Sequence, residues 1–315
     1  MIIYILKRIG MAIITIFVIA TLVFFLSRAI PGGPFDREKP LPQITIDNLN
    51  RQFNLDKPLY IQYLMFMQKV ATFDFGASYY LLNETVNQCI ERTFPISASL
   101  GIYPFCLAIL LGIPLGVVSA LYENRAPDMA TKVLTTLLIS VPNFVVAVML
   151  AYFIGVKLRL LPVAMWGTWR HMVMPIMALT AGPMATIIKY MRASMREVLD
   201  SDYVRTAKAK GGSSFTVTYV HALRNALLPI LTVAGPMLIG IMCGNLVVER
   251  IFAIPGLGSR FTSAITGRDY SMIMGLTIFY AILFIGILLV VDILYSFVDP
   301  RIKVSSGSRG VEGGD

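Results

Sequence analysis

Six runs of apolar residues dominate the chain, and its charged residues fall almost entirely between them. A bilayer core about 30 Å thick needs roughly 20 apolar residues in a helix. The pattern therefore predicts an all-α, polytopic membrane protein with six transmembrane helices. The runs cover residues 9–30, most of 93–122, 133–156, 172–188, 226–248 and 271–298. The fourth run is the shortest, and omitting it would put the two chain ends on opposite sides of the membrane.

The basic residues predict the orientation, because Lys and Arg in short loops favour the cytoplasmic side. Segment 189–225 alone holds seven of them, and the bias rests mainly on this segment. If the N-terminus is inside, this segment lies in the cytoplasm together with Lys7, Arg8 and the C-terminal tail. We therefore expect an N-in/C-in topology.

The polar segments divide the chain into four parts. Residues 1–30 are predicted to form an N-terminal transmembrane helix, and 31–92 an extracytoplasmic segment. Within that segment, residues 47–73 place apolar side chains at roughly helical spacing, which predicts short helices at the membrane surface. Residues 93–300 should form the core, with five transmembrane helices and a cytoplasmic loop at 197–225. The Gly- and Ser-rich tail 301–315 is predicted to be cytoplasmic and disordered.

Composition supports a membrane location. The chain has 315 residues, of which 56% are hydrophobic and 14% charged, whereas soluble domains carry about 25% charged residues. Its mean hydropathy is +0.71. The net charge of +9 fits membrane topology and contact with anionic lipid better than nucleic-acid binding. We therefore expect membrane lipid as a partner and no nucleic acid.

Motifs that carry chemistry are absent from the sequence. It contains neither a G-x-x-x-x-G-K-[ST] phosphate loop nor the H-E-x-x-H or G-x-S-x-G pattern. Two histidines and three cysteines without C-x-x-C spacing do not predict a metal or redox site. We therefore predict no catalytic residue, cofactor or metal, and a membrane-embedded enzyme ranks third among the functions considered.

Ion-coupled transport is the main alternative to transport driven by ATP. Such carriers usually bury ionisable groups within their membrane helices. Here only Asp292 is a clear intramembrane acid, and it lies near the end of its run, where pairing with a neighbouring base is the simpler explanation. Its role stays open, and a secondary transporter of small solutes remains the alternative function.

Glycine–proline pairs interrupt two of the apolar runs, 172–188 and 226–248, and a proline–glycine pair follows the second of these runs. Proline removes a backbone donor and kinks a helix, which suits helices that bend around a transport path. Proline is also common in transmembrane helices without such a role, so both interpretations stay open. The hinge or gate candidates are Gly182, Pro183, Gly235, Pro236, Pro255 and Gly256.

The most informative segment is 202–229, in the basic loop. Residues 200–202 can cap a helix start, and the pattern predicts a short helix from Tyr203 to Lys210 that ends at Gly211 or Gly212. Two small residues, Ala207 and Ala209, would let another surface approach closely. The alternative is an ordinary basic loop that its charge keeps in the cytoplasm.

This segment also carries a resemblance to a known family. The run Arg205-Thr-Ala-Lys-Ala-Lys-Gly211, followed by His221-Ala-Leu-Arg-Asn-Ala-Leu-Leu-Pro229, resembles the coupling loop of ABC-importer permeases of the dipeptide/oligopeptide/nickel class. The likeness covers residues 1 to about 303 and is greatest to the B-type oligopeptide permease subunit. Further matching stretches are 30–34, 55–63, Asp74-Phe-Gly76, Glu249-Arg-Ile-Phe-Ala-Ile-Pro-Gly-Leu-Gly258, Arg268-Asp-Tyr270, 291–295 and 299–302.

The resemblance implies a type I ABC-importer permease fold in the bacterial cytoplasmic (inner) membrane. It implies ATP-driven import of oligopeptides, or dipeptides, by alternating access, and it does not separate these from nickel as cargo. The implied partners are a homologous second permease, two cytoplasmic ABC ATPase subunits that hydrolyse the ATP, and an extracytoplasmic peptide-binding protein. The implied ATPase-coupling residues are Tyr203, Arg205, Thr206, Ala207, Lys208, Ala209, Lys210 and Gly211.

One departure from the family pattern lies in this loop. The general permease loop begins Glu-Ala-Ala, with glycine four residues after the second alanine. Here Arg205 and Thr206 stand at the first two positions, while Ala207 and Gly211 fit. The resemblance therefore assigns no role to a glutamate in the loop.

Overall fold

The computed structural model describes residues 2–29, 33–35, 42–81, 84–242 and 245–298. Within these ranges the chain is helical, apart from its loops and one isolated bridge between Ala77 and Thr85. Both the C-terminal tail 301–315 and the side chain of Asp292 lie outside the description. The all-α class predicted from the apolar runs is confirmed for the described part of the chain.

The helices follow one another along the chain with short connections. Their bounds are α1 (Ile2–Ala29), α2 (Gln43–Gln52), α3 (Leu59–Thr72), α4 (Val86–Leu121), α5 (Ala126–Ser140), α6 (Asn143–Leu150), α7 (Trp169–Leu199), α8 (Asp202–Ala209), α9 (Ser214–Thr216), α10 (Leu223–Ala226), α11 (Leu228–Met242), α12 (Leu246–Ile251), α13 (Leu257–Thr266) and α14 (Tyr270–Val298). Stretches of π-helix, Ala151–Lys157 and Val217–Ala222, follow α6 and α9.

Five helical spans are long and apolar enough to cross a membrane among the described residues: Leu6–Ala29, Val86–Leu121, Trp169–Leu199, Leu228–Ile251 and Tyr270–Val291. The predicted run 133–156 is not one straight helix. It forms two arms, Ala126–Ser140 and Asn143–Lys157, bent by 93°. Val141 and Pro142 are extended at the break, because a residue before proline avoids the helical conformation. The described residues therefore hold the predicted six spans only if the two arms of this bent pair are counted as one span.

The second span begins earlier than its apolar run. Helix α4 starts at Val86, where Thr85 and Gln88 form a capping box with N···O distances of 3.2 and 3.0 Å. Its 36 residues would extend about 54 Å, well beyond a bilayer core of about 30 Å. The domain boundary predicted at 92/93 therefore falls inside a continuous helix.

The helical bundle has two distinct ends, which we call the α8 end and the α3 end. At the α8 end, a buried cluster joins Val117 of α4 and Met191 of α7 to Val204 of α8. At the α3 end, Phe24 of α1 packs against Tyr63 of α3, with ring centroids 5.4 Å apart. Helices α2 and α3 overlap the predicted segment 47–73, and its location at the extracytoplasmic membrane surface stays a prediction.

Candidate coupling segment

Helix α8 begins and ends as its sequence predicts, within one residue. It spans Asp202–Ala209, with Ser201 in extended conformation before it and Asp202 in its first turn. Gly211 has a φ of +81°, a conformation that glycine adopts without steric cost. Its N–H donates to the Lys208 carbonyl (3.0 Å), and the Gly212 N–H donates to the Ala207 carbonyl (3.2 Å). This paired C-terminal bonding stops the helix where the loop turns back.

The two faces of α8 have different environments. Val204 is fully buried, and Ala207 packs beside it against the cluster formed with α4 and α7. The remaining implied coupling side chains are exposed to solvent: Tyr203, Arg205, Thr206, Lys208, Ala209 and Lys210. The expectation that Ala207 provides close approach to a partner is therefore not supported by its position, because it faces the chain's own core. Ala209 is the small residue on the outer face.

An exposed aromatic pair that was not predicted from the sequence lies beside α8. Phe215 and Tyr219 are 70% and 47% exposed, with ring centroids 4.6 Å apart. Val217 between them is buried in the same cluster as Val204. The Ser213 hydroxyl accepts from the Thr216 N–H at 3.1 Å and so caps this helical turn. The pair could have been predicted from the i, i+4 spacing of the two aromatic residues, which places them on the same helix face.

A buried carboxylate joins three helices at the α8 end. Asp128, at the start of α5, is fully buried. It accepts from the Ser119 hydroxyl of α4 at 2.6 Å and from the Asn124 N–H at 2.9 Å. Arg192 of α7 donates to it through Nε and Nη2, at 2.7 and 3.0 Å, and the Lys132 Nζ lies 2.9 Å away. The Asp128 cluster therefore fixes α4, α5 and α7 relative to one another just inside α8.

A second buried carboxylate lies in the motif that follows α11. Glu249 accepts from the Ser97 hydroxyl of α4 at 3.0 Å and from the Ser259 N–H of α13 at 2.8 Å. The Ser97 oxygen in turn accepts from the Leu257 N–H at 2.8 Å. Because free N–H groups at a helix start favour a negative charge, Glu249 anchors α13 against α4.

A third carboxylate joins the predicted extracytoplasmic segment to the last span. Asp269 is buried and accepts from the Ser78 hydroxyl, the Tyr79 N–H (3.0 Å) and the Met272 N–H (3.1 Å). It thereby caps α14 and ties the loop after α3 to it. Asp128, Ser97 and Arg192 were not singled out from the sequence, because their roles depend on partners far along the chain.

The hinge candidates lie at three separate places. Gly182 faces the break between α5 and α6, since a Cβ there would lie 3.6 Å from the Asn143 amide oxygen. Gly235, in α11, would bring a Cβ to 2.7 Å from Val291 of α14. Gly256 caps α13, and a Cβ there would lie 2.5 Å from the Glu249 carboxyl group. Pro183 and Pro236 lie within unbroken helices, and Pro255 precedes α13. A hinge role for these residues stays a prediction.

The described residues contain no group of three His, Cys, Asp or Glu side chains that could hold a metal ion.

The fold defines a polytopic helical membrane protein. It is similar to a solved structure of the MetNI methionine ABC transporter in an inward-facing conformation, with a TM-score of 0.53 and 16% identity over 67% of this chain and 96% of that one. A solved amino acid ABC transporter matches with a TM-score of 0.54 and 13% identity over 67% of this chain and 94% of that one. The fold is therefore that of type I ABC-importer permeases.

Sequence comparisons identify the family. A model described as "binding-protein-dependent transport system inner membrane component" matches residues 112–304, and the model of its N-terminal part matches residues 1–101. The chain belongs to this family of inner-membrane transport components. The N-terminal match ends and the other match begins within α4, the helix that also crosses the predicted domain boundary.

Two curated relatives span nearly the whole chain. The dipeptide transport system permease protein DppB of Bacillus subtilis is 45% identical over 96% of this chain and 98% of its own length. The oligopeptide transport system permease protein OppB of Haemophilus influenzae is 39% identical over 95% of this chain and 99% of its own length. The resemblance to ABC-importer permeases of the peptide class is confirmed.

Proposed function

We propose that this chain is the membrane-spanning subunit of an ATP-driven importer that moves short peptides across the bacterial inner membrane by alternating access. It pairs with a homologous permease and receives peptide from an extracytoplasmic binding protein. Two ATPase subunits hydrolyse ATP on the cytoplasmic side, where the α8 end lies in the N-in/C-in topology. The relatives transport dipeptides or oligopeptides by name, so the cargo class is peptide without a fixed length.

The observation that carries the proposal is the division of α8 into an anchored and an exposed face. Its inner side, Val204 and Ala207, is packed on the buried cluster. Its outer side presents cations, hydroxyls and the small Ala209 to solvent. A partner that binds the outer face would move α8 together with the cluster beneath it, because Val204 and Ala207 are packed on that cluster.

Movement of α8 has a direct route into the membrane spans. The cluster that holds Val204 includes Val117 and Ala120 of α4 and Met191 and Met195 of α7. Close-packed interiors transmit displacement because they compress little. The Asp128 cluster adds α5 to the same unit through its ion pair with Arg192. Motion of the ATPase subunits would therefore shift α4, α5 and α7 together.

Peptide cargo explains why a protein-lined path is needed. Each amide that enters hydrocarbon without a hydrogen-bond partner costs about 4–8 kcal/mol. A hydrated path between two permease subunits avoids this cost. Ion-coupled transport remains the alternative to test, and the family of this chain favours the ATP-driven importer.

The test of the coupling site compares three alanines at the α8 end. Ala209→Trp adds bulk to the outer face of α8, so we expect normal membrane insertion, weakened retention of the ATPase subunits and loss of peptide uptake. Ala126→Trp, at an exposed position at the start of α5, is the matched control and should retain both. Ala207→Trp should overpack the inner face, which typically costs about 1–3 kcal/mol, and should lower the stability of the chain itself.

The measurements are membrane abundance, co-purification of the ATPase subunits and peptide uptake for each variant. Normal uptake and normal ATPase retention in Ala209→Trp would contradict a docking role for the outer face of α8.

A further inference from the structure

A small cavity lies at the α3 end, between α1, α3, α14 and the loop that follows α3. Its volume is about 60 Å³, about four times what one water molecule requires. Aromatic and methionine side chains form much of its wall. The polar lining residues are Arg28, Asn54, Gln62, Lys69, Tyr79 and Ser271. The cavity is therefore polar and large enough for a small polyatomic group.

Two buried polar atoms of the lining residues have no hydrogen-bond partner among the described residues. One is Nε of Arg28, in the last turn of α1, and the other is Oε1 of Gln62 on α3. The orientation of the Gln62 amide is fixed, because its nitrogen donates to the carbonyls of Leu55 and Lys57 at 3.0 and 2.7 Å. A cationic donor and a neutral acceptor thus face one cavity. Buried polar groups are rarely left unsatisfied.

A second cation reaches the same cavity from α3. Lys69 lines the cavity, and its Nζ lies close to Gly76. A side chain at position 76 would place its Cβ only 2.7 Å from this Nζ. Gly76 has a φ of +82° and its N–H donates to the Asp74 carboxylate at 3.1 Å. The Asp74-Phe-Gly76 motif therefore leaves room for the Lys69 ammonium group at the cavity wall.

No acidic side chain is among the described lining residues, and the Asp74 carboxylate that accepts from Gly76 lies outside the lining. The Tyr79 phenol does not supply a negative charge, because burial raises its pKa above the ordinary value. The cavity wall therefore contributes two cationic side chains, a donor (Arg28 Nε) and an acceptor (Gln62 Oε1) that have no partner among the described residues. This combination favours an anion that itself bears a hydrogen-bond donor.

The surroundings of the cavity are those of a lipid-facing surface. Arg28 is in the last turn of the span Leu6–Ala29, where a helix leaves the hydrocarbon. Leu26 of the same turn is 64% exposed, and Tyr60 and Leu64 of α3 are 67% and 62% exposed. Apolar side chains exposed on two adjacent helices are typical of contact with acyl chains, and tyrosine is typical of the interface.

We propose that this cavity binds a phosphate group carrying a hydrogen-bond donor, at the level of the lipid headgroups. Arg28 and Lys69 hold the phosphate oxygens, and Gln62 accepts from the donor. Phosphatidylethanolamine supplies the donor through its ammonium group and phosphatidylglycerol through its hydroxyls. Free dihydrogen phosphate has the same chemistry. Phosphatidylcholine lacks an N–H or O–H donor and should bind less well.

The experiment uses the full chain, purified in neutral detergent with whatever subunits accompany it. Native mass spectrometry measures binding of phosphatidylethanolamine, phosphatidylglycerol, phosphatidylcholine and, separately, inorganic phosphate. We expect one donor-bearing lipid per chain. Arg28→Gln and Lys69→Gln should each weaken its binding about tenfold, the effect of one charge-assisted hydrogen bond. Arg170→Gln, which removes an exposed cation at the start of α7, is the matched control and should bind normally.

Each outcome bears on the site. Lipid binding that depends on Arg28 and Lys69 supports a headgroup as the ligand. Binding of inorganic phosphate alone, with the same dependence, supports the site with free phosphate as its source. Because Lys69 is exposed, Lys69→Gln keeps the test valid if Arg28→Gln fails to fold. Equal binding of every probe to the wild-type chain and to both variants would overturn the proposal. Water would then be the occupant of the cavity.

Discussion

Replacing Asp128 with alanine should destabilise the α8 end far more than replacing the exposed acid beside it. Asp128 is fully buried and accepts from Ser119, Asn124, Lys132 and Arg192. Removing the carboxylate leaves the Arg192 guanidinium, whose side chain is 20% exposed, without its anion. Breaking a buried ion pair from one side costs about 3–5 kcal/mol. Because water can partly reach Arg192, we expect about 3 kcal/mol, the low end of that range.

The matched control is the neighbouring pair of Glu123 and Arg196, whose side chains are 37% and 42% exposed. It joins the same helical region, and Glu123→Ala should cost only about 0–1 kcal/mol, as exposed ion pairs do. The assay is equilibrium unfolding of the purified protein with increasing SDS in mixed micelles. It reports the free energy of unfolding for each variant.

A double-mutant cycle separates the ion pair from simple loss of packing. Arg192→Met removes the partly buried cation, so Asp128→Ala should cost less stability in that background. We expect the double variant to be more stable than the sum of the single effects by about 2 kcal/mol. Strict additivity, or equal costs for Asp128→Ala and Glu123→Ala, would refute the assignment of Asp128 as the joint between α4, α5 and α7.

Two further predictions concern the loop end and the topology. Gly211→Val should weaken ATPase retention and peptide uptake while leaving membrane insertion intact, because a left-handed conformation costs a side chain about 1–2 kcal/mol; Gly211→Asn should do less, and equal function of the valine variant would contradict the conformational argument. Topology reporters test the N-in/C-in arrangement, and a cytoplasmic signal at Asn48 would contradict it. Cytoplasmic signals are expected at Asn124, Gly212 and Gly307, and external signals at Asn48 and Gly267.

Local signals in the sequence were sufficient to place α8. The sequence predicts a short helix that ends at Gly211 or Gly212, and α8 ends at Ala209, followed by Gly211 with a φ of +81°. The sequence did not indicate which face of α8 is buried. Val204 and Ala207 face inward only because α4 and α7 lie beneath them, and that arrangement depends on residues far along the chain.

Hydropathy located the spans but not their shape or ends. The run 133–156 is mostly apolar, and Pro142 within it indicates an interruption but not the angle, which is 93° at Val141 and Pro142. The start of α4 could have been predicted from the Thr85–Gln88 capping pattern, although the apolar run begins several residues after this start. Asp128 and Arg192 lie 64 residues apart, so their ion pair could not be predicted without the packing of α5 on α7.

Peptide uptake into proteoliposomes tests the central claim, which is ATP-driven import through this chain, most directly. The chain is reconstituted with its partner permease, ATPase subunits and binding protein, and ATP is supplied on the side of the α8 end. We expect that uptake of labelled peptide requires ATP hydrolysis and continues when an ionophore collapses the proton gradient. Uptake that persists without ATP and stops with the ionophore would contradict it and favour an ion-coupled carrier.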